Sequence, residues 1–122
     1  AFLLLVLAFS FATHAQVLAP AKWRFEVSKT EVKAGGETEL VFRATIQDDW
    51  YLYSSDFDPN LGPQVTAFAF KPNDTYQLVG KVKPVKPKKK YDDLWGGEYT
   101  YFIGQAEFRQ TVKILKANPR IE

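Results

Sequence analysis

Across residues 38–46 the apolar side chains Leu40, Phe42, Ala44 and Ile46 fall at every second position, with Glu39, Arg43 and Thr45 between them. Successive side chains of an extended strand point to opposite faces, so this spacing describes a strand with one buried and one wetted face. Residues 106–115 repeat the pattern: Ala106, Phe108, Val112 and Ile114 share a face, and Gln110 interrupts it. No stretch of useful length carries helical periodicity.

Turn chemistry divides the rest of the chain at short intervals. Trp23-Arg24-Phe25-Glu26-Val27 alternates apolar and charged residues and is followed by the turn Lys33-Ala34-Gly35-Gly36-Glu37. Asp48-Asp49 leads into Trp50-Tyr51-Leu52-Tyr53, and residues 56–63 form a connection rich in Asp, Pro, Asn and Gly. Strands are expected at residues 64–70, 76–82 and 99–103, with a Pro- and Lys-rich loop at 83–90. About seven short strands between turns predict an all-β, immunoglobulin-like β-sandwich. Each large apolar side chain buried in it contributes on the order of 1.5–3 kcal/mol.

The sequence has no cysteine and a single histidine, His14. If His14 leaves with an export leader, neither residue type remains, which excludes zinc and blue-copper sites of the usual ligand types and nucleophile systems built on histidine or cysteine. No metal and no cofactor is expected, and the chain has no thiol chemistry of its own. The formal net charge of +2 is too small to point to nucleic acid.

Residues 1–12 are an uncharged apolar run, followed by Thr13-His14-Ala15, a small-x-small-like cleavage pattern. Residues 1–15 therefore read as a secretory signal peptide, 16–22 as a linker and 23–122 as one domain. The run is shorter than the roughly 20 residues that span a bilayer, so membrane attachment is expected only through a segment outside this chain. With neither Met nor a basic n-region, the leader reads as incomplete, and the alternation that resumes at Arg120-Ile121-Glu122 suggests that the C-terminus is cut as well.

Four groups of residues stand out as possible sites. Lys81, Lys83, Lys86, Lys88, Lys89 and Lys90, interleaved with Pro84 and Pro87, read as a solvated loop or as a docking surface for an acidic partner. Tyr51, Tyr53 and Trp95 stand beside turns and suit either core packing or a binding surface, carbohydrate included. Asp92 and Asp93 are adjacent, which is poor geometry for an acid/base pair in a strand and suits loop solvation or binding. Gly96-Gly97 fits a hairpin turn or a movable flap.

Five blocks taken in order resemble the N-terminal domain of DsbD-type thiol:disulfide interchange proteins, over roughly residues 23–115. They are Trp50-Tyr51-Leu52-Tyr53-Ser54, residues 62–70, residues 78–84, Tyr91-Asp92-Asp93, and residues 101–110. The resemblance implies an immunoglobulin-like periplasmic domain in a parent protein anchored in the inner membrane. In that family the domain takes electrons from a thioredoxin-like domain of the same protein. It passes them through one cysteine pair to periplasmic disulfide isomerases and to thioredoxin-like proteins of cytochrome c maturation.

The family's pair lies on strands after the one matching residues 106–115, so the resemblance leaves two readings: a fragment without the reactive strands, or a cysteine-free binding or assembly module. The resemblance also implies that Asp92-Asp93-Leu94-Trp95-Gly96 is a cap loop covering the pair, with Leu94 where the family can place an aromatic. Tyr51 and Tyr53 match tyrosines that pack beside the pair and face partners.

Overall fold

A computed structural model describes residues 6–7 and 21–122. Apart from Val6 and Leu7, the expected signal peptide lies outside the described residues, as does most of the expected linker. Among the described residues nine strands follow in order: Val6–Leu7 (β1), Ala21–Val27 (β2), Glu37–Ile46 (β3), Leu52–Tyr53 (β4), Tyr76–Pro84 (β5), Lys88–Asp92 (β6), Gly97–Phe102 (β7), Gln105–Ile114 (β8) and Arg120–Ile121 (β9). One sheet has the order β2-β3-β8-β5 and a second the order β4-β7-β6, both antiparallel, while β1 and β9 form a short parallel pair. The seven strands of the two antiparallel sheets make the all-β sandwich that the alternation predicts.

The two most regular sequence segments sit at its centre. β3 and β8 pair with Phe42 opposite Phe108, Ala44 opposite Ala106 and Leu40 opposite Gln110. The inner face thus carries Leu40, Phe42, Ala44, Ile46, Ala106, Phe108, Val112 and Ile114, all buried. Across from it, β7 contributes Phe102, whose ring centre is 5.2 Å from that of Phe108, and Phe68 lies 4.9 Å from Phe42 and 5.1 Å from Phe108. The outer face of this sheet is charged: Arg43 joins Glu107 (2.8 Å) and Glu26 (3.3 Å), and Arg109 joins Glu107 (2.8 Å) and Glu39 (3.4 Å).

Gln110 breaks the apolar pattern because β5 breaks its ladder. The β5–β8 register is irregular between Val79 and Lys83, around Gly80 at φ +70°. Fully buried, Gln110 turns the two N–H groups of Nε2 to the Thr111 carbonyl (2.8 Å) and, shared, to those of Val79 (3.2 Å) and Gly80 (3.3 Å). An apolar residue there would remove these donors from the carbonyls of the irregular segment.

Three expectations need correction. Residues 64–70 belong to no ladder, although Phe68 and Phe70 pack against the core; their backbone meets the fold through Thr66 N–H donating to the Ser54 carbonyl (3.1 Å). Alternating side-chain burial, which suggested a strand, does not require a ladder partner. The Pro/Lys segment at 83–90 is mostly strand, with only residues 85–87 connecting β5 to β6 and Lys86 turning the corner at φ +52°. Pro84 is tolerated because β5 is an edge strand whose outward side needs no N–H donor. Finally, β2 begins at Ala21, inside the stretch expected as linker.

Candidate functional site

β6 and β7 form a hairpin whose turn is Asp93-Leu94-Trp95-Gly96. Asp92, the last residue of β6, builds the turn: its Oδ1 accepts from the N–H groups of Leu94 (2.8 Å) and Trp95 (3.0 Å). Its carbonyl also accepts from Gly96 N–H (2.8 Å). Side-chain acceptance of this kind is the reason Asp is favoured at turn entries. Asp92 is therefore a structural acceptor rather than half of an acid/base pair, and Asp93 is exposed in the turn. Gly96 adopts φ +76°, which an L side chain rarely takes.

The loop before residue 64 grips the hairpin from the side. Asp58 turns that loop by accepting from Asn60 N–H at Oδ1 (2.9 Å) and from Leu61 N–H at its carbonyl (3.1 Å). This sets Leu61 over Gly97 and Gly62 under Trp95. A Cβ on Gly62 would fall 2.0 Å from Cε3 of the Trp95 indole, and one on Gly97 would fall 2.6 Å from Cδ1 of Leu61. Each glycine is thus the bare floor for the other segment's apolar side chain. Gly97 has a packing reason to be glycine, which favours a held hairpin over a hinged flap. Held at Trp95, the turn leaves Leu94 standing out, 88% exposed.

Tyr51 and Tyr53 belong to a second feature, the outer face of the three-stranded sheet. Tyr53 lies opposite Tyr101 in the β4–β7 register, on the side away from Leu52 and Phe102. Tyr51 stacks on Tyr101 with ring centres 4.9 Å apart, and Tyr99 meets Tyr53 and Tyr101, each at 5.6 Å. Phe57 closes the group at 6.3 Å from Tyr53 and 6.2 Å from Tyr99. The Thr100 hydroxyl helps seat that ring by donating to the carboxylate of the preceding residue, Asp56. Burial raises the Tyr99 hydroxyl above the usual tyrosine pKa, with the Lys90 cation opposing it.

Trp95 has no described ring contact with this cluster, and apart from the Tyr51–Tyr101 stack its rings meet at steep angles, so Tyr51, Tyr53 and Trp95 do not form one flat carbohydrate platform. Of the expected site residues, the fold gathers Asp92 to Gly96 into one turn and Tyr51 with Tyr53 onto one face. Sequence reasoning missed Leu61, Gly62, Phe57, Tyr99 and Tyr101. The alternation of Tyr99 and Tyr101 was a usable signal for the last two, whereas nothing local ties Gly62 to a tryptophan so far along the chain.

Among the described residues no group of three or more His, Cys, Asp or Glu could hold a metal ion, and no helix is long and apolar enough to cross a membrane. No curated protein and no solved structure is a match. The family described as thiol:disulfide interchange protein DsbD, N-terminal, matches residues 14–122.

Proposed function

The chain belongs to the family of DsbD N-terminal domains, and from that premise we propose that it is the periplasmic, partner-facing domain of a protein-disulfide reductase. Family membership over residues 14–122 carries this reading. In it the domain takes electrons from a thioredoxin-like domain of its parent protein and hands them to periplasmic disulfide isomerases and to thioredoxin-like proteins of cytochrome c maturation. The transfer runs through a cysteine pair, and since residues 1–122 contain no cysteine, the parent protein supplies the pair from outside them. Residues 1–15 act as the export leader, and the linker that follows runs into the domain at β2. Cleavage after Ala15 would remove β1 and leave the seven strands of the two antiparallel sheets unchanged.

The hairpin tip Asp92-Asp93-Leu94-Trp95-Gly96 is the cap in this account. A cap must present an apolar side chain outward while its base stays fixed. Leu94 projects from a turn tied by Asp92 and seated through Trp95 on Gly62, which supports that assignment. Shielding by Leu94 keeps water and stray thiols from the pair until a partner displaces that side chain. Tyr51 and Tyr53 pack beside the pair and meet the partner.

In the parent protein, Leu94→Ala should speed reaction of the disulfide with a small thiol such as dithiothreitol several-fold while the fold is kept. An unchanged rate would remove the cap assignment. A second reading, a cysteine-free binding module, draws on the aromatic outer face of the three-stranded sheet.

A further inference from the structure

We propose that the outer face of the three-stranded sheet is a docking surface for an acidic, aromatic-bearing segment of a partner protein, gripped by Tyr51 and Tyr101 and by the cations of Lys88 and Lys90. This rests on the partner-facing reading of Tyr51 and Tyr53 and adds the partner's chemistry. In the β6–β7 register Lys88 lies opposite Tyr101 and Lys90 opposite Tyr99, so both lysines rise on the same face as the tyrosine cluster. Lys89 points to the other face, where its ammonium meets Glu98 at 3.4 Å. Among the described residues no carboxylate lies within ion-pair distance of Lys88 or Lys90. Of the neighbouring carboxylates, Asp92 accepts from the turn amides, Glu98 pairs with Lys89 on the other face, and Asp93 stands exposed in the turn.

The face therefore offers two lysines without an ion-pair partner among the described residues, beside an aromatic surface on which Tyr51 is 47% exposed. Apolar anchors ringed by charge are the usual anatomy of a recognition patch. Complementary charge selects an acidic partner and speeds the encounter. Lysines on an edge strand also discourage sheet-to-sheet aggregation, and that role alone would not require a cluster of aromatic rings beside them.

The test uses this chain and a fluorescein-labelled peptide of alternating Glu and Phe, followed by fluorescence anisotropy. Binding should weaken as salt rises from about 50 to about 500 mM. Lys88→Glu/Lys90→Glu should weaken it about tenfold or more, as should Tyr51→Ala, while Lys81→Glu/Lys83→Glu, which changes charge equally elsewhere, should leave it within about twofold. Circular dichroism confirms that each variant is folded. Absence of peptide binding, equal weakening by the Lys81/Lys83 variant, or binding of oligosaccharides in place of the peptide would overturn the proposal. Since the assay involves no cysteine, its failure would leave the reductase reading standing. Success beside a parent gene without cysteines would sink the reductase reading and keep the docking surface.

Discussion

Replacing Gly62 with alanine would put a methyl carbon where the Trp95 indole now lies. The new atom would stand 2.0, 2.3 and 2.4 Å from Cε3, Cζ3 and Cδ2 of the ring. Carbon contacts settle at about 3.5–4.0 Å, so a gap of about 1.5 Å must open, and an indole cannot yield it by turning a terminal methyl aside. The ring is 47% exposed, so roughly half of its surface is at stake. If about 100 Å² of apolar contact is lost, the cost is about 2.5 kcal/mol. Gly62 also sits at φ +150°, where an L side chain adds strain of about 1 kcal/mol or more. Partial relaxation brings the expected loss to about 2–4 kcal/mol.

Urea unfolding followed by tryptophan fluorescence measures that loss, and hydrogen exchange at the Leu94 and Trp95 amides reports whether the hairpin tip has come loose. Gly97→Ala is the matched comparison, because its clash is with a terminal methyl of Leu61, which can rotate away at about 1 kcal/mol. A Gly62→Ala variant within about 0.5 kcal/mol of the parent, or a Gly97→Ala variant that costs as much, would refute the interlock.

Gln110→Leu should destabilise by about 0.5–1.5 kcal/mol in urea, since the carbonyls of Val79 and Gly80 lose their side-chain donor; an unchanged midpoint would mean that these carbonyls have other partners. Asp92→Ala should cost about 1 kcal/mol and speed exchange at the Leu94 and Trp95 amides, while Asp93→Ala should leave both unchanged. Burial raises the Tyr99 and Tyr76 hydroxyls above the tyrosine value of the unfolded chain, near 10. Their contribution is whole below about pH 10 and is lost as pH rises through the folded values, because the unfolded state releases its protons first. Tyr99→Phe should flatten the alkaline fall in stability, and an equally steep fall would show that Tyr99 does not contribute to it.

How much was legible in the sequence depended on whether the signal was local. The alternation in residues 38–46 and 106–115 marked the two central strands, and even the interruption at Gln110 was visible there, though its cause, the irregular ladder of β5, was not. Residues 64–70 misled because their side chains alternate in burial without joining a ladder. Prolines and lysines at 83–90 suggest a loop, and that hides Lys88 and Lys90 as one face of a strand, since a run of like residues shows no alternation. The resemblance to the DsbD family singled out Asp92-Asp93-Leu94-Trp95-Gly96, which the fold places in one turn. Its anchorage could not be read, because the seat of Trp95 is a glycine more than thirty positions earlier, and a bare glycine carries no sign of what will lie on it.

The central claim is that this domain serves thiol–disulfide exchange with cysteines that its parent protein supplies. Reading the parent gene for about 60 codons past Glu122 tests it most directly, a span that covers the next few strands of a sandwich and a first membrane segment. The account predicts a pair of cysteine codons, followed by codons for apolar helices. A stop codon, or a continuation without cysteine, would contradict it and leave the scaffold as a binding module.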